Sequence, residues 1–104
     1  MKDNKNSFVC IGAVHTDYIL QLKSKYYKNR TNPVTLNQSL GGVAYNIAKK
    51  LSFLNMKTEL ISLNCQKRNI QIIKKNKINF NPINKKILNR SYTTVLNAKG
   101  EMIL

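Results

Sequence analysis

The sequence predicts an α/β fold built from an incomplete parallel sheet with helices, carrying a small antiparallel β lid. The first reason is the run Phe8-Val9-Cys10-Ile11, apolar without alternation and ended by Gly12. Such a run suits a strand covered on both faces of a parallel sheet. The second is the pair Gly41-Gly42, after which Ala44, Ile47, Ala48, Leu51 and Leu54 recur at helical spacing. The third is Asn97-Ala98-Lys99-Gly100, flanked by Ser91–Leu96 and Glu101–Leu104, a hairpin signature.

Each element has its own justification. Tyr18–Leu22 and Val34–Leu40 alternate and read as strands, separated by Lys23–Pro33, a polar connection broken by proline. This pair sits between a buried strand and a buried helix and cannot join the same parallel layer without a crossover, so it reads as a flap. Asn55 suits a left-handed helix cap, and Lys57–Leu63 is a second core strand, which closes a strand–helix–strand unit in parallel. Residues 67–76 carry Ile70 and Ile73 on one side of a second helix, and Ile78–Phe80 is a short third strand ended by Pro82. The expected division is a core of residues 7–14 and 41–82 and a lid of residues 17–40 and 86–104. A small self-sufficient α+β domain is the competing architecture.

Composition bounds function. A chain of 104 residues with 18 Lys+Arg against 4 Asp+Glu carries a formal charge of +14, which points to nucleic acid, an anionic membrane or an acidic partner. However, only Arg30, Arg68 and Arg90 are arginine, and the chain is crowded with Asn and Ile. Evolved phosphate readers favour the guanidinium fork, so a compositional bias explains the charge better than nucleic-acid binding does. Tyr26 and Tyr27 among Lys23, Lys25, Lys28 and Arg30 form either a basic–aromatic surface for bases or a solvated loop. Cys10 and Cys65 have no CxxC spacing and no adjacent His, which argues against a metal set. No signal peptide and no membrane-spanning stretch is read, and the expected location is the cytoplasm.

The candidate binding residues cluster after the first strand and at the glycine turn. Ligands of open α/β sheets collect beyond the carboxyl ends of strands, where His15 and Asp17 lie. Asp17 can accept two hydroxyl hydrogen bonds, as a sugar diol offers, or serve as an ordinary turn carboxylate. His15 is either a ligand contact or a solvated turn residue. Gly41 and Gly42 permit close approach of a ligand to free N–H groups at a helix start, and the Asn46 amide in the first turn both donates and accepts. A glycine-initiated core helix with no ligand is the alternative.

Phe8 to Asp17, Gly41-Gly42-Val43-Ala44-Tyr45-Asn46, and the Gly100-Glu101 hairpin resemble, in order and spacing, the N-terminal third of the ribokinase, or PfkB-type, carbohydrate kinases. Asn32-Pro33, Gly41 to Ala48, Ser91-Tyr92 and Gly100-Glu101-Met102 look most like the pseudouridine kinase branch of that family. The resemblance implies transfer of the ATP γ-phosphoryl to a sugar or nucleoside hydroxyl. It further implies that Asp17, Gly41, Gly42 and Asn46 hold sugar hydroxyls, that Thr93 on a lid strand faces the substrate, and that the lid serves dimerisation.

Two departures qualify the resemblance. His15 stands where many members have Asn, and Asn64-Cys65-Gln66-Lys67-Arg68-Asn69 replaces the family's Gly-x-Asp-x-x-Gly segment. The family's ATP site and Gly-Ala-Gly-Asp catalytic loop belong to a chain roughly three times as long, and the carboxylates Asp3, Asp17, Glu59 and Glu101 do not supply a base beside an anion cradle. The expectation is therefore a truncated or split gene product, inactive alone, with no catalytic, cofactor-binding or metal residues of its own. ATP and Mg²⁺ are implied for the full-length family. The expected partners are a weakly held sugar or nucleoside, with a second copy through the lid or a separately encoded C-terminal part.

Overall fold

The computed structural model describes residues 7–104. In chain order the elements are β1 (Ser7–Ile11), β2 (His15–Leu22), β3 (Val34–Gly41), α1 (Val43–Phe53), β4 (Lys57–Ser62), α2 (Lys67–Lys75), β5 (Asn79–Pro82) and β6 (Ser91–Leu96). They form two three-stranded sheets, β1-β4-β5 and β3-β2-β6. The chain divides into two compact units, one of the described residues up to His15 with Leu40–Arg90, the other of Thr16–Ser39 with Ser91–Leu104. The predicted α/β class, parallel sheet plus a smaller antiparallel element, is the one observed.

In the first unit both strand pairs are parallel, and the register aligns Cys10 with Leu60 and Leu60 with Phe80. Cys10 and Phe80 pack against a core of Val14, Ala44, Tyr45, Ala48, Leu60, Cys65, Ile73 and Ile78, which draws on both helices. Both α1 and α2 therefore lie on one face of the sheet. The opposite face presents two rows, Val9-Glu59-Asn79 and Ile11-Ile61-Asn81. It is apolar toward β1, where Val9 is 57% and Ile11 75% exposed. Toward β5 it is polar, and the Asn81 amide donates to the Glu59 carboxylate at 3.1 Å.

Three expectations are corrected here. Strand β1 is covered on one face, not two, because both crossover helices pack on the same side. The buried stripe of α1 is Ala44, Tyr45 and Ala48, whereas Ile47 and Leu54 point outward at 49% and 63% exposure. Tyr45 takes the core position because its ring fills the space beside Leu60 and Ile73 while its hydroxyl accepts a hydrogen bond from the Asn76 amide at 2.9 Å. Finally, β2 begins at His15. His15 and Asp17 are thus strand residues, not turn residues.

Helix α1 ends where Asn55 takes φ 64°, the left-handed cap its sequence predicts. Helix α2 buries Ile73 and ends before Asn76, which carries the bond to Tyr45. The Ser52 hydroxyl donates to the Asn76 carbonyl at 2.6 Å, so the C-terminal ends of both helices are tied together.

In the second unit Lys23 N–H donates to Pro33 C=O at 3.2 Å, which places the end of β2 beside the start of β3 and makes the two strands run in opposite directions. Strand β6 joins the other edge of β2 in parallel, Thr16 opposite Ser91 through Gln21 opposite Leu96. The predicted hairpin turn is present, with Gly100 N–H donating to Asn97 C=O and Gly100 at φ 85°. Its return arm is not a regular strand. Beyond the antiparallel bridge of Leu96 with Met102, Ile103 and Leu104 both bond to Val95, the two-against-one pattern of a bulge. The connection Lys23–Pro33 is organised from within: the Asn32 side chain accepts from Tyr27 N–H at 2.8 Å and donates to Tyr27 C=O at 3.0 Å, and the Arg30 guanidinium lies over the Tyr27 ring at 5.0 Å.

Burial raises the Tyr45 phenol above its ordinary value, an effect the Asn76 hydrogen bond only partly offsets, and burial alone pushes the Cys65 thiol up. In both cases the folded chain holds the proton more tightly than the unfolded one. Their contribution to stability is complete below the unfolded values near 9 and 10 and is lost as pH rises through the folded ones. Urea midpoints should therefore fall between pH 8 and about pH 11. Tyr45→Phe should remove part of that slope and cost about 0.5 to 1.5 kcal/mol at neutral pH through the unpaired Asn76 amide.

Candidate functional site

Two glycines set the geometry at the carboxyl end of β1. Gly12 packs so closely on α1 that an added Cβ would sit 2.7 Å from the Ala44 Cβ. Gly42 precedes the helix at φ 119°, and a side chain there would strike the Ala13 carbonyl. Neither place tolerates a larger residue, and Gly42 adopts a backbone conformation that L side chains rarely reach. The Gly42 carbonyl accepts the Asn46 N–H at 2.9 Å, but no side chain caps the helix and no acidic residue stands in its first turn. The positive end of the helix dipole is thus left uncompensated by the chain.

A cleft of about 520 Å³ lies at this turn, lined by residues that include Gly12, Ala13, His15, Gly42 and Val43. The structure thereby brings His15 and Gly42 together, with Gly41 as the buried residue that ends β3. Asn46 is exposed and lines a different, larger cleft of about 830 Å³. That second cleft also carries Lys49, Lys50, Lys75 and Lys77 and has no acidic lining residue. Its lysines stand near the C-terminal ends of α1 and α2, where cations complement the helix dipole.

Asp17 and Thr93 belong to the second unit. The register sets Asp17 opposite Tyr92 and Tyr18 opposite Thr93. Since residues alternate in side along a strand, Thr93 turns to the sheet face opposite that of Asp17. The side chain that shares the Asp17 face is Tyr92, half exposed at 52%. Sequence reasoning passed over Tyr92. The parity of β6 against β2 would have found it, but only the observed register supplies that parity.

The segment after β4 is built to hold a loop in place. The Asn64 carboxamide oxygen accepts Cys65 N–H at 3.0 Å, Asn64 N–H donates to the Asn84 side chain at 2.8 Å, and Leu88 N–H donates to Asn64 C=O at 3.0 Å. Cys65 is buried and its raised thiol stays protonated, which makes it an inert core residue.

The donor set does not fit Mg²⁺ with ATP. Among the described residues no group of three or more His, Cys, Asp or Glu side chains could hold a metal ion. Glu59 is engaged by Asn81, and Glu101 accepts from the Asn97 amide at 2.9 Å in the turn. No step of phosphoryl transfer runs through these residues. Among the described residues no helix is long and apolar enough to cross a membrane.

Gly42→Ala should destabilise the chain by about 1 to 3 kcal/mol through strain at its positive φ. Gly100→Ala, at a positive φ but with only the Gln21 amide near its Cβ position, should cost less. Urea titration of the two variants checks the order.

No family model and no curated protein sequence matches the chain. Solved structures do. A carbohydrate kinase from Agrobacterium tumefaciens superposes with a TM-score of 0.83 at 18% identity, over 95% of this chain and 34% of that one. A nucleoside kinase from Methanocaldococcus jannaschii, an archaeal member of the ribokinase family, gives 0.67 at 18% identity over 98% and 36%. Ribokinase from Giardia lamblia gives 0.72 at 14% identity over 91% and 33%. The chain spans about a third of the length of the kinases it matches. It has the fold of part of a ribokinase-like kinase.

Proposed function

We propose that this chain is the sugar-binding N-terminal part of a ribokinase-type kinase for a sugar or nucleoside, with pseudouridine as the favoured substrate. The observation that carries this reading is the likeness to sugar and nucleoside kinases over nearly all of this chain but about a third of theirs. In the proposal Asp17 accepts two sugar hydroxyls and Asn46 both donates to and accepts from the ligand. The N–H groups after Gly41 and Gly42 receive oxygens at the uncapped helix start, and His15 lines the same cleft. Tyr92, beside Asp17, is a stacking surface for a sugar or base, a role that Thr93 on the other sheet face does not share. ATP and Mg²⁺ are held by further polypeptide, and the 104 residues alone transfer no phosphoryl group.

A few hydrogen bonds, each contributing about 0.5 to 1.5 kcal/mol net, give a dissociation constant of about 1 mM at best. NMR titration with pseudouridine and ribose should shift resonances near Asp17 and Gly42 in the wild type, and Asp17→Ala should abolish those shifts. Identical shifts in the two proteins, or kinase turnover from the purified chain, would disprove the reading.

A further inference from the structure

We infer that the free edge of β1 and the apolar half of the open sheet face dock a further βα segment of polypeptide, one strand parallel to β1 with a helix laid over Val9, Ile11 and Ile61. This rests on the fragment reading proposed above and adds where, and by what kind of element, the fragment is completed.

The topology selects the edge. The sheet runs β1-β4-β5 with both crossover helices on one face, so each later strand steps away from β1. Right-handed crossovers that continue past β5 would keep adding helices to the covered face, whereas a strand added beside β1 brings its helix to the other face. The side chains select the same place. The rows Val9-Glu59-Asn79 and Ile11-Ile61-Asn81 change from apolar to polar between β1 and β5. A parallel sheet is normally covered on both faces, and here only the β1 half of the open face is chemically prepared for a cover.

The edge itself is unguarded. Ser7-Phe8-Val9-Cys10-Ile11 contains no charge and no proline, the devices by which exposed edges avoid pairing. Strand β5, at the other edge, contains Pro82 and two asparagines. The matched kinases contain about two thirds of a chain beyond the part that this protein covers, which is enough for such an element.

The probe is the C-terminal part of the Agrobacterium tumefaciens carbohydrate kinase that this chain does not cover, expressed separately and mixed with the 104-residue chain. Size-exclusion chromatography with light scattering should show a one-to-one complex, and amide exchange in Val9–Ile11 should slow by about tenfold or more. Ile11→Lys or Val9→Lys should weaken the complex by about tenfold or more because the ammonium would be buried on docking. Asn79→Lys on the polar half should leave it intact. Ile11 and Val9 are exposed in the isolated chain, so unchanged urea midpoints verify that the variants fold. Absence of a complex, or a complex indifferent to Ile11→Lys and Val9→Lys, overturns the inference. So does a self-dimer of the chain that the same substitutions dissolve, which would assign the edge to a second copy. Sugar-induced shifts in the isolated chain are read separately, so failed docking with intact sugar binding refutes only this inference, and docking without sugar binding refutes only the substrate reading.

Discussion

The close approach of backbone to backbone at the carboxyl end of β1 is the constraint on which the first unit depends. Gly12 lets the strand end lie against Ala44, and Gly42 lets the helix start pass the Ala13 carbonyl. With any side chain at either place α1 would stand off the sheet, and Ala44, Tyr45 and Ala48 would leave the core. The same approach leaves the helix start without a side-chain cap. Packing and binding geometry thus have a single cause, and a glycine here serves both.

Much of the architecture was legible because its signals are local. The glycine turn, the Asn55 cap, the strand Lys57–Ser62 and the helix Lys67–Lys75 each follow from residues within a few positions of one another. What the sequence hid is set by partners far along the chain. Outward-facing Ile47 and Leu54 look like core residues to any periodicity argument, and only the packing of Tyr45 against Leu60 and Asn76 shows which stripe is buried. Likewise His15 and Asp17 read as turn residues until β6 is seen to extend the ladder back to Thr16. The parity that separates Tyr92 from Thr93 is of the same kind, because a slip of one residue exchanges them.

The charge of the chain is distributed without a matching anionic surface. Lys49, Lys50, Lys75 and Lys77 gather at one cleft, near helix ends whose carbonyl dipoles they complement. Arg30 is stacked on Tyr27 within its own loop and is committed to that contact. Local roles therefore account for part of the basic character that composition alone would assign to a polyanion.

The unguarded strand β1 also has a consequence for the life of the protein in a cell. A flat, uncharged, apolar edge with Ile11 three-quarters exposed is a segment that chaperones and proteases bind. The abundance of the chain would then follow the supply of whatever covers that edge, with the uncovered form removed by turnover. Stoichiometry would be enforced by degradation, without any regulatory site.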